Sequence, residues 1–169
     1  MEKTVEEKRV YTGNLISVNA DRVSLPTGKK TFREYVSHPG AVAAIPFLTQ
    51  ERIILVRQYR YAVKKDLLEI PAGKIEEGES PEETITRELQ EEIHYIPEKL
   101  EKIGWFYPSP GYTNEKICLF KAFNLKPKSL QTEEKIEVVQ MEFKEVLNSI
   151  RRGEIRDGKT IIALLSCIH

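Results

Sequence analysis

Between Gly73 and Tyr95 the chain reads GKIEEGESPEETITRELQEEIHY, with eight glutamates and one arginine in a single short run. Glutamates can hold hard divalent cations, which prefer oxygen ligands, against phosphate oxygens. Spacing decides whether these do. Ile85, Leu89 and Ile93 recur at i, i+4 and i+8 and form one apolar stripe of a helix. At about 100° per residue, Glu92 falls about 60° from the centre of that stripe and Glu88 about 100° from it, with Glu91 and Arg87 further round. Two carboxylates therefore border a buried face, where like charges at i and i+4 repel more strongly than in water. A cation between them relieves the repulsion, and Mg²⁺ or Mn²⁺ is the candidate. The plainer alternative is a solvated face in which Glu83, Arg87 and Glu91 form successive i, i+4 ion pairs.

The helix that must position these acids is marked at both ends. Ser80 followed by Glu83 is a capping box, and Pro81 occupies the first helical position, so the helix is expected from Pro81 to about Ile93. Before Pro39-Gly40, the short pieces Leu15–Val18, Arg22–Leu25 and Thr31–Val36 are separated by turn residues and predict a small antiparallel sheet. AVAAIPFL and RIILVRQYR, divided by Thr49-Gln50-Glu51, predict a buried hairpin. LLEIPAGK then feeds the acidic helix. Beyond it come the strands KIGWFYP, KICLFKAFNL and IEVVQMEF, a helix in EFKEVLNSIRRG, and a last helix in TIIALLSCI after the Asp157-Gly158 turn. The alternation lacks a strict βαβ repeat, which predicts an α/β fold with a mixed sheet between helices.

The acidic segment resembles the signature box of the Nudix hydrolases, G-x5-E-x7-R-E-U-x-E-E-x-G-U with U apolar or aromatic. Gly73, Glu79, Arg87, Glu88, Leu89, Glu91, Glu92 and Tyr95 match it. His94 stands where the family has Gly, at the helix end where a left-handed residue is favoured. His is among the non-glycine residues enriched at positive φ, so the departure bears on local geometry more than on the acids. The resemblance implies a Nudix-type α/β/α sandwich over residues 39–169, preceded by a β-rich dimerisation segment over 1–38. VRQYRYAV, LEIPAGK and YPSPGYTNEKI resemble the ADP-ribose pyrophosphatase branch, including Pro110 beyond the box.

That branch implies metal-dependent hydrolysis of the pyrophosphate bond of ADP-ribose to AMP and ribose 5-phosphate. Glu88, Glu91, Glu92 and the Ala72 carbonyl are the implied metal ligands, with Glu91 catalytic and Arg87 orienting the glutamates. The general base is implied in the loop Gln131-Thr132-Glu133-Glu134, as Glu133 or Glu134. Arg57 and Arg60 share one strand end, and arginine can take phosphate oxygens bidentately, with surface acids as the alternative partners. Glu69 either accepts hydrogen bonds from substrate or has a structural partner. Tyr35 either stacks on adenine or is a core aromatic. Rival readings are a Nudix hydrolase of another nucleotide sugar or nucleotide, and a non-catalytic module that binds ADP-ribose. Relatives pair through their N-terminal sheets, which implies a homodimer.

Composition narrows the field further. The 169 residues carry 26 basic and 26 acidic side chains, a balance that gives no support to a nucleic-acid or anionic-membrane surface. The longest apolar runs are too short to span a bilayer and MEKTVEEKRV lacks a signal-peptide core, so a soluble, cytoplasmic protein is expected, and the resemblance adds a small nucleotide as its substrate. Cys118 and Cys167 lack C-x-x-C spacing and read as buried thiols, and the three histidines make no zinc motif.

Overall fold

The computed structural model of the chain describes residues 1–128 and 136–168. The chain divides into two compact units, Met1–Gly40 with Tyr107–Lys116, and Ala41–Phe106 with Ile117–His169.

In the first unit, four short strands form an antiparallel sheet: β1 (Lys3–Glu6), β2 (Arg9–Thr12), β3 (Ser17–Ser24) and β4 (Lys30–Ser37). β3 is the hub, pairing with β4 along its whole length and with β1 and β2 through its other edge. The two pieces expected at Leu15–Val18 and Arg22–Leu25 are thus one strand. Asp21, expected to mark a turn, lies inside it at 7% exposure, accepting the Lys8 N–H (3.0 Å) and the Tyr35 hydroxyl (3.3 Å). A buried carboxylate with two donors tolerates a strand interior that an unpaired one would not. The Tyr107–Lys116 segment joins β4 through a parallel bridge between Val36 and Thr113, and Asn114 Oδ1 accepts the His38 N–H (2.8 Å).

The second unit holds the remaining elements: β5 (Ala41–Pro46), β6 (Arg52–Arg60), β7 (Lys65–Glu69), β8 (Ala72–Lys74), α1 (Pro81–Ile93), β9 (Tyr95–Phe106), β10 (Ile117–Pro127), β11 (Glu137–Glu142), α2 (Phe143–Arg151) and α3 (Gly158–Leu165). One sheet has the order β8-β5-β10-β9, with β5 and β10 parallel and the other pairs antiparallel. A second, β11-β6-β7, is antiparallel throughout. Alternate residues of each central strand serve opposite faces. Ala43 and Ile45 of β5, Ile53 and Leu55 of β6 and Leu119 of β10 pack with Val146 of α2 and Leu164 of α3. Their neighbours Val42, Ala44, Ile54, Val56 and Phe120 pack with Ile85, Leu89 and Ile93 of α1. Burial on both faces explains why β5 and β6 read as continuous apolar runs rather than alternating ones. The result is the expected α/β/α layering with a mixed sheet.

The expected hairpin between β5 and β6 is confined to its tip, a single bridge from Phe47 to Ile53 and a bond from the Leu48 N–H to the Arg52 carbonyl (2.9 Å). Beyond the tip each strand spends its backbone groups on other partners, β5 on β8 and β10, β6 on β7 and β11. Uninterrupted apolar sequence says that a strand is central without saying in which sheet. Among the described residues no helix is long and apolar enough to cross a membrane.

α1 begins and ends where its signals place it. The Ser80 side chain accepts the Glu83 N–H and the Glu83 side chain accepts the Ser80 N–H, a complete capping box. His94 closes the helix at φ 62°, ψ 36°, in the left-handed region, its N–H returning to the Gln90 carbonyl (3.2 Å). A side chain there costs about 1–2 kcal/mol relative to glycine. His94→Gly is therefore expected to leave stability unchanged or raise it by up to about 1 kcal/mol, and His94→Val to lower it by about 1–2 kcal/mol, in urea unfolding.

Candidate active site

The turn before α1 is built to leave room for one carboxylate. Gly73 in β8 faces α1, and a Cβ there would stand 2.0 Å from the Glu88 carboxyl carbon. A glycine at this position is what allows Glu88 to lie against the strand. One turn further along, Glu92 enters almost completely buried, at 8% exposure, and its Oε2 accepts the Ala72 N–H (3.1 Å).

Arg87 gathers the other acids. Its Nε and Nη2 donate to the two oxygens of Glu79 (3.0 and 3.1 Å), and its Nη1 donates to Glu88 (2.8 Å) and Glu91 (3.0 Å). Thr84 adds its hydroxyl to Glu79 (2.9 Å). Glu83, which the plain solvated-face alternative pairs with Arg87, is engaged with Ser80 instead. One guanidinium thus orders three carboxylates beside a buried fourth.

The electrostatics follow from this imbalance. The Arg87 bond holds the Glu79 carboxyl below the ordinary carboxylate value. Burial lifts the Glu88 carboxyl above it, against the pull of the Arg87 charge. Burial drives Glu92 up to about 8, opposed by the Ala72 N–H and reinforced by the Glu88 charge. Two desolvated carboxylates with raised pKa values favour a proton or a hard cation, and an all-oxygen donor set fits Mg²⁺ or Mn²⁺. Among the described residues no three His, Cys, Asp or Glu side chains converge as a complete cage.

A second charged group lies in the same unit. Arg60 grips Glu69 with both arms of its fork, Nε to Oε1 (2.8 Å) and Nη2 to Oε2 (2.7 Å), and Lys159 Nζ donates to the same Oε2. Glu69 is 1% exposed. Burial works against its charge, but the bonds from Arg60 and Lys159 outweigh it and hold the carboxyl below its ordinary value. The charges of Arg60 and Lys159 also reach Glu92 and draw its pKa down. Arg57 instead pairs with Glu137 (3.2 Å) at the surface.

Tyr35 and Pro110 both line one pocket of about 380 Å³ in the first unit, together with Tyr107 and Tyr112. Glu133 and Glu134 lie outside the described residues. Lys159, Asp157, Thr160 and Thr84 escape a reading of the sequence. Thr84 looks like an ordinary helix residue, and the DGKT run signals only a turn and a helix start.

The family profile described as NUDIX domain matches residues 37–164. The chain belongs to the NUDIX family. It is 39% identical over 167 residues to the ADP-ribose pyrophosphatase of Bacillus subtilis (strain 168), spanning 96% of this chain and 90% of that protein. The methanol dehydrogenase activator of Bacillus methanolicus is as similar, at 39% over 167 residues with the same coverage of both chains. A GDP-mannose pyrophosphatase of Salmonella arizonae (strain ATCC BAA-731 / CDC346-86 / RSK2980) is 36% identical over 141 residues, 77% of this chain and 73% of that one. The crystal structure of an ADP compounds hydrolase superposes with a TM-score of 0.86 at 22% identity, covering 98% of this chain and 91% of that one, and shows the shared NUDIX fold.

Two outcomes test the carboxylate geometry. In Gly73→Ala the new methyl displaces a flexible carboxylate rather than backbone. The unfolding midpoint should stay close to the parent while affinity for divalent ions, measured by titration, falls about tenfold or more. For Glu92, a folded pKa of about 8 against an ordinary 4.5 means that folding favours the protonated form. Its stabilising contribution is present in full below about 4.5 and is lost as pH rises through about 8. Without metal, Glu92→Gln should therefore gain stability over the parent progressively from about pH 5 to about pH 9, read as the difference between their melting curves.

Proposed function

We propose that this NUDIX protein hydrolyses the pyrophosphate bond of ADP-ribose, releasing AMP and ribose 5-phosphate. The observation that carries the reading is the single network in which Arg87 orders Glu79, Glu88 and Glu91 next to the buried Glu92. The likeness to the Bacillus subtilis enzyme over nearly the whole of both chains supports the choice of substrate.

Glu88, Glu91, Glu92 and the Ala72 carbonyl would hold Mg²⁺, or Mn²⁺ in its place, which when bound would supply charge neutralisation at the diphosphate and a more acidic water. Arg87 does not touch substrate; it fixes the directions of Glu88 and Glu91. Arg60 donates to phosphate oxygens, with Arg57, which pairs with Glu137 at the surface, the second candidate. A water oxygen attacks one phosphorus, the bond from that phosphorus to the bridging oxygen breaks, and Glu133 or Glu134 receives the water proton. Tyr35 stacks on the adenine and Pro110 contacts the substrate beside it. Glu69 acts as the anchor of Arg60 rather than as a direct ligand. The protein works on a small nucleotide in the cytoplasm, as a homodimer joined through its N-terminal sheet, whose exposed Val10, Tyr11 and Phe32 supply apolar surface for pairing.

The likeness to a GDP-mannose pyrophosphatase favours a second reading, hydrolysis of another nucleotide sugar by the same carboxylates. Product analysis decides between them. With Mg²⁺, ADP-ribose should yield AMP and ribose 5-phosphate, and Glu92→Gln should lose about a hundredfold or more in turnover. Faster release of mannose 1-phosphate from GDP-mannose at equal concentration would replace the first reading with the second. In solution, a monomer mass at micromolar concentration would rule out the homodimer.

A further inference from the structure

Lys159 is the least expected member of the charged groups near α1. It stands one residue inside α3, far in sequence from Arg60 and Glu69, yet its side chain is only 12% exposed and its ammonium lies on the Glu69 carboxylate. A lysine so buried loses rotamer freedom and hydration, so its position needs compensating partners. It has two. Glu69 Oε2 is one, and Asp157 Oδ1 at 3.0 Å is the other.

The arrangement is an alternating chain, Asp157, Lys159, Glu69, Arg60. Its two acids are not equivalent. Asp157 is the N-cap of α3, its Oδ2 accepting both the Thr160 N–H (3.0 Å) and the Thr160 hydroxyl (2.6 Å), so its charge is already met by the positive end of a helix. The Thr160 hydroxyl in turn accepts the Ile70 N–H (2.9 Å), which ties the start of α3 to the residue after Glu69. Glu69 has no such helix end. Its partners are the two cations, and without Lys159 a single arginine would face a buried carboxylate one to one.

That difference matters for Arg60. The four groups together are neutral, so the second cation adds no excess charge; it keeps the Glu69 carboxylate ionised and fixed in position as the anchor of the Arg60 fork. Nε and Nη2 of Arg60 are held by Glu69, and among the described residues nothing bonds Nη1. The half-exposed outer edge of the fork therefore keeps donors for phosphate oxygens.

We infer that Lys159 is a positioning residue for diphosphate binding, acting through Glu69 to hold the Arg60 fork in place for the substrate. The inference rests on the proposed function for the identity of the diphosphate. It assigns Lys159 no contact with substrate and no part in proton transfer. Its effect belongs to binding, and it must vanish when Arg60 is gone.

The test is binding of the α,β-methylene analogue of ADP-ribose, whose bridging carbon resists hydrolysis, to the full-length protein by calorimetry with Mg²⁺ present. Lys159→Met should weaken binding about tenfold, the size of one charge-assisted hydrogen bond. Lys159→Arg, which keeps the charge on Glu69, should recover most of the loss. In an Arg60→Gln background, Lys159→Met should cause no further loss. With Mg²⁺ present, Lys159→Met should raise KM by a similar factor and change kcat much less. An unchanged dissociation constant in Lys159→Met, a full additional loss in the Arg60→Gln background, or a kcat effect without a KM effect each overturns the inference. Should Lys159→Met fail to fold, the Lys159→Met/Glu69→Gln pair removes both charges together and must bind as weakly as Arg60→Gln; parental affinity in that pair overturns the inference. Parent protein that binds ADP-ribose without releasing AMP counts against the proposed activity alone, whereas failure of the parent to bind counts against both.

Discussion

Because Ile85, Leu89 and Ile93 are all seated in the core, the rotation of α1 about its axis is fixed, and with it the depth at which every acid on that helix must lie. Glu92, nearest the stripe, is carried into the protein, Glu88 follows part of the way, and Glu91 stays at the rim. Hydrophobic burial of this kind is worth about 1.5–3 kcal/mol per large aliphatic side chain. Three such residues suffice to hold a helix in place against the cost of desolvating two carboxylates. The pKa of about 8 at Glu92 is the electrostatic trace of that compromise. The carboxylates are not placed by mutual attraction; they are brought in by the apolar stripe.

The surrounding elements each answer a need created by that depth. β8 supplies an N–H at Ala72 for the deepest oxygen and, at Gly73, the empty volume in which the Glu88 carboxyl sits. The capping box fixes where the first turn starts, and hence the register of Arg87 relative to Glu79 in the preceding loop. Arg87 can satisfy three acids because a guanidinium offers five donors in a rigid fork, which an ammonium does not. At the other end of the helix, His94 turns the chain into β9 with a backbone conformation that glycine would adopt more cheaply.

What could be read in the sequence divides along physical lines. α1 was fully legible, because Ser80, Pro81, Glu83 and the apolar stripe are local signals that agree with one another. The two-faced burial of β5 and β6 was legible as composition, but their assignment to different sheets was not, since pairing partners are chosen by residues far away along the chain. β3 was split in error at Asp21, whose burial depends on donors from Lys8 and Tyr35 that no local window contains. In the candidate site, the order of burial of Glu92, Glu88 and Glu91 followed from angular spacing alone. The partnership of Arg60 with Glu69 was not legible: the alternatives were surface acids for Arg60 and a structural partner for Glu69, and the structure joins the two residues with bidentate geometry. Lys159 left no signal at all. A lysine in a DGKT run is indistinguishable from a solvated one until α3 is placed against β7.

The two charged networks of the second unit have different characters, and Glu92 senses both. Around Arg87 the carboxylates outnumber the cation, so this region has a deficit of positive charge. Around Glu69 the charges balance, with Arg60 and Lys159 both on its carboxylate and Asp157 on the far side of Lys159. Glu88 raises the pKa of Glu92 from one side while Arg60 and Lys159 lower it from the other. An arrangement of this kind would suit the proposed ligand, a hard cation bound to a diphosphate, with the cation at the acidic helix and phosphate oxygens at Arg60. An acidic helix by itself would repel phosphates, and the Arg60–Lys159 group by itself gives no reason for carboxylates to be buried at the cost that Glu92 displays. The two groups are held apart through β6, whose Ile54 and Val56 pack with α1 on one face while Ile53 and Leu55 pack with Leu68 of β7 on the other, so their placement is set by the same apolar contacts that fold the unit.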